Sequence, residues 1–247
     1  MSKISKEMVA IIVCFSMIFA MCSVTQAKTY YEKKYDDYEH RLYPHEGECD
    51  ESIASVAINS VDDKSQTVTQ DFDQDGVKEK VKLTGKISKN YKKANVSVKI
   101  DKKTVLKKKI PAYINLSFST YMVDGQCIAV LMYGDEDYAG GGAFIYRWKK
   151  NNTLKLLKKV TPKGYLGICT GNDITEKRNV LYVMDQVQMS NVYGSKWPKN
   201  VLKRYKKYAK KEGASVTKRT YEKYIYKKGK LKKIATDKYY YVGSAYD

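Results

Sequence analysis

From Ser52 onward the chain is dominated by short runs in which apolar and polar residues alternate. Val96, Val98 and Ile100 share one face of NVSVKI, Ile114, Leu116 and Phe118 one face of YINLSFS, and Phe144, Tyr146 and Trp148 one face of AFIYRW. A period of two belongs to strands that turn one face to a core. The Tyr, Val, Ile and Thr that fill these runs pack well on a pleated surface. Three stretches repeat one plan: VKIDKKTVLK (98–107), YRWKKNNTLK (146–155) and YIYKKGKLKK (224–233) each place an apolar alternation, a turn carrying Asp, Asn or Gly, and then Leu-Lys. Each reads as a hairpin with lysine on its outer face, where it also discourages edge-to-edge pairing. The expected fold is mainly β, built of antiparallel hairpins in stacked sheets, with a partial propeller and a sandwich both open.

One segment departs from this period. In PKNVLKRYKKYAKKEGAS, Val201, Leu202, Tyr205, Tyr208 and Ala209 form a helical stripe, with Pro198 near its start and Gly213 past its end. That spacing predicts an inserted helix over 199–212 whose opposite face is almost entirely basic.

The N-terminal stretch is different again. Lys3 and Lys6 precede an apolar run from Met8 to about Val24, and Thr25 and Ala27 stand at the −3 and −1 positions of a cleavage site. This is the anatomy of a secretory signal peptide, with an uncleaved membrane anchor as the alternative. Cys22 follows Met21, so the small residue that a lipoprotein signal needs there is missing. The predicted organisation is a signal peptide over 1–27, a polar, tyrosine-rich and weakly ordered lead-in over 28–51, and a single β-rich domain over 52–247. The expected location is secreted, extracellular or cell-wall associated.

Charge sharpens this picture. The 247 residues carry a formal net charge of +19, most of it outside the signal segment. Such a surface reads either as a solvated exterior that keeps an exported protein soluble or as one drawn to polyanions outside the cell, namely anionic cell-wall polymers, acidic glycans or nucleic acid. Charge alone does not separate these, although no specific nucleic-acid motif is present. Within the predicted helix, Lys203, Arg204, Lys206, Lys207, Lys210 and Lys211 are the candidate polyanion contacts, with tyrosines interleaved. Beyond the signal peptide, Cys49, Cys127 and Cys169 remain, an odd number that leaves both one disulfide and buried free thiols open.

Against this basic background, residues 71–82 read DFDQDGVKEKVK. Asp71, Asp73 and Asp75 alternate before Gly76, and strand-like QTVTQ and EKVKLTG flank them. Calcium takes six to eight hard oxygens at about 2.3–2.6 Å, which a tight loop with oxygens at alternate positions supplies. Crowding three carboxylates into such a loop is unfavourable unless a cation offsets their repulsion. The spacing resembles the D-x-D-x-D-G-x-x-[D/E] loops of the FG-GAP/VCBS group, the integrin-like calcium-loop β-repeats, here among secreted proteins of Gram-positive type. The match spans 71–79. It implies Ca2+ as the cofactor, with Asp71, Asp73, Asp75, the Val77 carbonyl and Glu79 as ligands. An EF-hand fits less well, since Lys82 stands where that loop needs a bidentate Glu.

Other chemistry is weaker. Asp135, Glu136 and Asp137 lie beside a glycine run in YGDEDYAGGGAF, which also reads as a long hairpin loop. His40, His45 and Cys49 have a spacing that zinc can use, but they fall in the lead-in. With two histidines in the whole chain, neither near a nucleophile elbow, a Ser-His-Asp site has no support. The expected function is a secreted, non-enzymatic, calcium-binding β protein associated with envelope or extracellular polymers. The alternative is a secreted carboxylate-dependent glycan hydrolase using residues such as Asp135 and Asp137.

Overall fold

Fourteen strands supply all the regular secondary structure among the residues described by a computed structural model, namely 28–31, 52–60, 62, 64–135, 140–173, 178–189 and 215–243. In chain order they are β1 (Lys28–Tyr31), β2 (Ala54–Ile58), β3 (Ser65–Gln70), β4 (Glu79–Ile87), β5 (Lys93–Ile100), β6 (Lys103–Pro111), β7 (Asn115–Val123), β8 (Gln126–Gly134), β9 (Gly142–Lys149), β10 (Thr153–Val160), β11 (Tyr165–Asp173), β12 (Arg178–Met189), β13 (Ser215–Lys227) and β14 (Lys230–Gly243). They form three sheets, in the orders β3-β4-β5-β6, β10-β9-β8-β7-β2 and β1-β14-β13-β12-β11. Every pairing is antiparallel except that of β1 with β14. The four residues of β1 begin the segment expected to be a weakly ordered lead-in, and they run parallel to Asp237–Tyr240.

The sheets stack as three layers, and the side-chain pattern says why. On the middle sheet, Phe118 of β7, Ala129 and Leu131 of β8, and Tyr146 and Trp148 of β9 pack against Leu83, Val96, Val98 and Ile100 of the β3–β6 sheet. The residues between them, including Tyr121, Val123, Ile128, Val130 and Ile145, face the opposite way, onto Leu166, Ile168, Leu181, Val183 and Tyr224 of the third sheet. The near-continuous apolar runs of β8 and β9 are the mark of strands covered on both faces, and β7 buries Ser117, Ser119 and Thr120 among its apolar residues. In β4 and β5, by contrast, Val81, Leu83, Val96, Val98 and Ile100 are buried while lysines between them are exposed. This is sheet-on-sheet packing used twice.

All three repeated stretches are hairpins: β5–β6, β9–β10 and β13–β14. One further turn fixes register. Asp124 and Gly125, both at positive φ (51° and 68°), link Val123 to Gln126 across β7–β8, the two-residue connection whose twist matches that of its strands. The Asp124 carboxylate then accepts the Tyr226 N–H at 3.0 Å and meets Arg178 at 3.6 Å, tying this turn to the third sheet. Gly85 is a close approach: an added Cβ would lie 1.5 Å from the hydroxyl of the buried Tyr113.

Ile114 departs from its expected place. It precedes β7 and is exposed, while Leu116 and Phe118 are buried as the alternation predicts. The predicted helix over 199–212 lies outside the described residues, as do His40, His45 and Cys49. Cys127 is a buried free thiol and Cys169 is disulfide-bonded. Among the described residues no helix is long and apolar enough to cross a membrane.

Candidate metal centre

The acidic loop joins β3 to β4 and is held by its second residue. Phe72 is fully buried, stacked on Trp148 with ring centroids 6.2 Å apart and tilted against Phe118 at 6.4 Å. The Phe72 N–H donates to Glu79 Oε2 at 2.8 Å, and its carbonyl accepts from Cys127 Sγ at 3.5 Å. With an apolar residue between two aspartates, the chain drives Phe72 inward, and Asp71 and Asp73 flank the anchor.

Backbone donors shape the rest of the loop. Asp71 accepts the N–H of Asp75 (Oδ1, 3.2 Å) and of Gly76 (Oδ2, 2.9 Å), and Asp75 Oδ1 accepts the Val77 N–H at 2.9 Å. Gln74 and Gly76 take positive φ, 58° and 89°. Aspartates that bond backbone a few residues ahead are a standard way to close a tight turn.

Of the five residues predicted as ligands, three converge. One carboxylate oxygen each from Asp71, Asp73 and Glu79 lies within 4.8 Å of the others. Asp75 is exposed and stands outside this group, and Val77 is 63% exposed. Glu79 is only 5% exposed. Burial raises its carboxyl above the ordinary range despite the Phe72 N–H, and Asp73 and Asp75 push it further the same way. Burial likewise raises Asp73, aided by the charges of Asp75 and Asp71. Asp73 Oδ1 is buried and has no hydrogen-bond partner. The Cys127 thiol is also pushed up, first by burial and then by Asp73, Glu79 and Asp71.

Magnitudes show how finely this loop is balanced. Two like charges 4.8 Å apart repel by roughly 1 kcal/mol in water-like surroundings and about 3.5 kcal/mol at an effective dielectric near 20. Burying one phenylalanine contributes about 1.5–3 kcal/mol. The anchor and the repulsion are comparable, so a cation among the oxygens would decide the balance. The residues fit such an ion: three hard oxygen donors converge, and the orphaned Asp73 oxygen lacks the partner that a buried polar atom ordinarily has.

Beside the loop lies an open cleft of about 910 Å³, whose lining includes Asp73, Asp75, Gln126, Arg147, Lys149 and Asn152. Sequence reading missed this cleft and the Phe72 anchor. The D-F-D triplet held a signal for the anchor, whereas the approach of the β9–β10 turn to the acidic loop is a product of tertiary stacking. Asp135 is exposed, its carbonyl accepting from Asn115 Nδ2 at 3.2 Å. Asp137 and the six basic residues of the predicted helix lie outside the described residues. Comparison of the chain with protein-family models, curated proteins and solved structures returned no match.

Proposed function

We propose that this is an exported, non-enzymatic β scaffold that binds Ca2+ at the β3–β4 loop and associates with anionic envelope or extracellular polymers. One observation carries the ion: a buried, unpartnered Asp73 oxygen within a group of three converging carboxylates. Calcium suits an all-oxygen, partly flexible site better than metals that favour nitrogen or sulfur. The resemblance of residues 71–79 to FG-GAP/VCBS loops leads to the same ion. Asp71, Asp73 and Glu79 would hold it, with Asp75 and the Val77 carbonyl as additional oxygens. The ion would lock the β3–β4 hairpin in register and hold Phe72 against Trp148. Export rests on the signal-like 1–27 segment, and polymer association on the charge of +19.

Titration calorimetry with CaCl2 on chelator-stripped protein tests the ion. The expected result is one saturable site, weaker for Mg2+, abolished in Asp73→Ala. Absence of heat, together with an unchanged melting temperature, would remove the site.

A further inference from the structure

The β3–β6 sheet forms one outer layer, and its solvent face is unusual in charge. Alternation along β4, β5 and β6 turns Lys80, Lys82, Lys86, Lys93, Lys99, Lys107 and Lys109 outward, all exposed. The outward positions between them are Thr84, Asn95, Ser97 and Thr104, with Pro111 at the end and no acidic residue. Register brings the charges together: Lys82 lies opposite Lys99, Asn95 sits between Lys86 and Lys109, and Ser97 between Thr84 and Lys107. Neighbouring strands are about 4.8 Å apart and alternate residues about 6.7 Å, so the ammoniums form a two-dimensional lattice. Among the described residues none of them is in an ion pair.

Edge protection does not account for this pattern. β4 and β5 are the interior strands of their sheet, so their lysines guard no edge, and like charges placed directly opposite weaken a sheet. A face that served solubility alone would intersperse both signs. Thr84, Lys86, Asn95, Ser97, Lys107 and Lys109 also line a shallow depression of about 530 Å³ on this face.

We propose that this lysine face docks an acidic polysaccharide. The inference rests on the polymer-binding reading above and gives it a place within the described sheet. Charge complementarity identifies a linear polyanion, and the hydroxyl and amide side chains between the lysines suit a chain rich in hydroxyl groups. None of the outward residues of β4–β6 is aromatic, so the face lacks the stacking platform that single-stranded nucleic acid uses. Lysine ammoniums are compact point charges without the planar fork that grips a phosphate bidentately, which suits repeated charges along a flexible chain.

The test measures binding of the full chain to dextran sulfate, polygalacturonate, neutral dextran and single-stranded DNA at low and high salt. Its variants are Lys82→Gln/Lys99→Gln/Lys107→Gln and a charge-matched control on the β13–β14 turn, Lys227→Gln/Lys228→Gln/Lys230→Gln. The face variant should lose roughly tenfold in affinity for the acidic glycans and show a shallower salt dependence. The control should stay within about twofold. The two acidic polymers distinguish sulfate from carboxylate, and neutral dextran should not bind. All substituted side chains are exposed, so melting temperature should hold, and relief of the Lys82–Lys99 repulsion should not lower it. Equal binding by the face variant and wild type would overturn this assignment while leaving polymer association standing. No binding by wild type to either glycan would overturn both, and tighter binding to DNA than to dextran sulfate would replace the polysaccharide.

Discussion

Without calcium the acidic loop should make the protein less stable as pH rises through the titration of its buried carboxyls. With calcium the sign should reverse. In the folded chain Asp73 and Glu79 hold their protons above the ordinary 3.8 and 4.5. Between those ordinary values and the raised folded ones, the native state binds more protons than the unfolded state, so stability falls as pH increases. Below the ordinary values both states are protonated and the penalty is absent. Above the raised values it is present in full, first as the lost solvation of the buried carboxylates and then as their repulsion of roughly 1–3.5 kcal/mol per pair, towards the lower end because Asp73 is partly exposed. A bound divalent ion needs the deprotonated carboxylates, so its contribution grows over the same interval. At a hundredfold excess over Kd it amounts to about 2.7 kcal/mol, or roughly 5–10 °C in Tm for a chain of this size. Urea midpoints measured from about pH 4 to about pH 7, in chelator and in excess calcium, give the two slopes. Asp73→Asn should stabilise the chelated protein near neutrality and remove most of the calcium gain. Parallel slopes in the two series, or a chelated Asp73→Asn less stable than wild type, would refute the reasoning.

Three further outcomes follow from the packing. Phe72→Ala should cost about 3–5 kcal/mol, seen in chemical denaturation, and should weaken calcium binding although no ligand is altered, because the loop loses its anchor. Gly85→Ala should destabilise by at least about 1–3 kcal/mol through its collision with the Tyr113 hydroxyl, and adding Tyr113→Phe should recover part of the loss in Tm. The Cys127 thiol, buried and held protonated by burial and the neighbouring carboxylates, should react with a thiol reagent at mildly alkaline pH only as fast as the protein opens. Rapid labelling of the native state would show that this side chain is accessible.

Much of the β architecture was legible because strands and turns leave local marks. The alternations at Val96–Ile100 and Phe144–Trp148 and the three hairpin stretches are properties of a few neighbouring residues. Layering was not legible to the same degree. The double burial of the middle sheet shows in sequence most plainly at β8, as a near-continuous apolar run, while β7 and β9 also carry an alternation that reads as one buried face. Ile114 was placed on the strand face because the pattern runs through it, yet the pairing starts one residue later, at Asn115. At the loop, the spacing of Asp71, Asp73 and Glu79 was visible, since these residues are close in sequence. That the Asp75 carboxylate stands outside the converging group depends on how Phe72 seats the loop, which involves Phe118 and Trp148 from distant strands. Lysine on the outer face of the β5–β6 hairpin was visible in sequence, but only register joins it to Lys80, Lys82 and Lys86 of β4 as one face.

The doubly covered middle sheet has a consequence for how the molecule can change. A side chain altered on β7, β8 or β9 disturbs one of two interiors, and a backbone shift there is felt in both. The outward faces of β4–β6 border solvent and can be rewritten one charge at a time. If the β4–β6 face docks a polymer as proposed, variation in what it binds can accumulate on the outer layer while the inner one stays nearly fixed, separating the part that meets the environment from the part that keeps the shape.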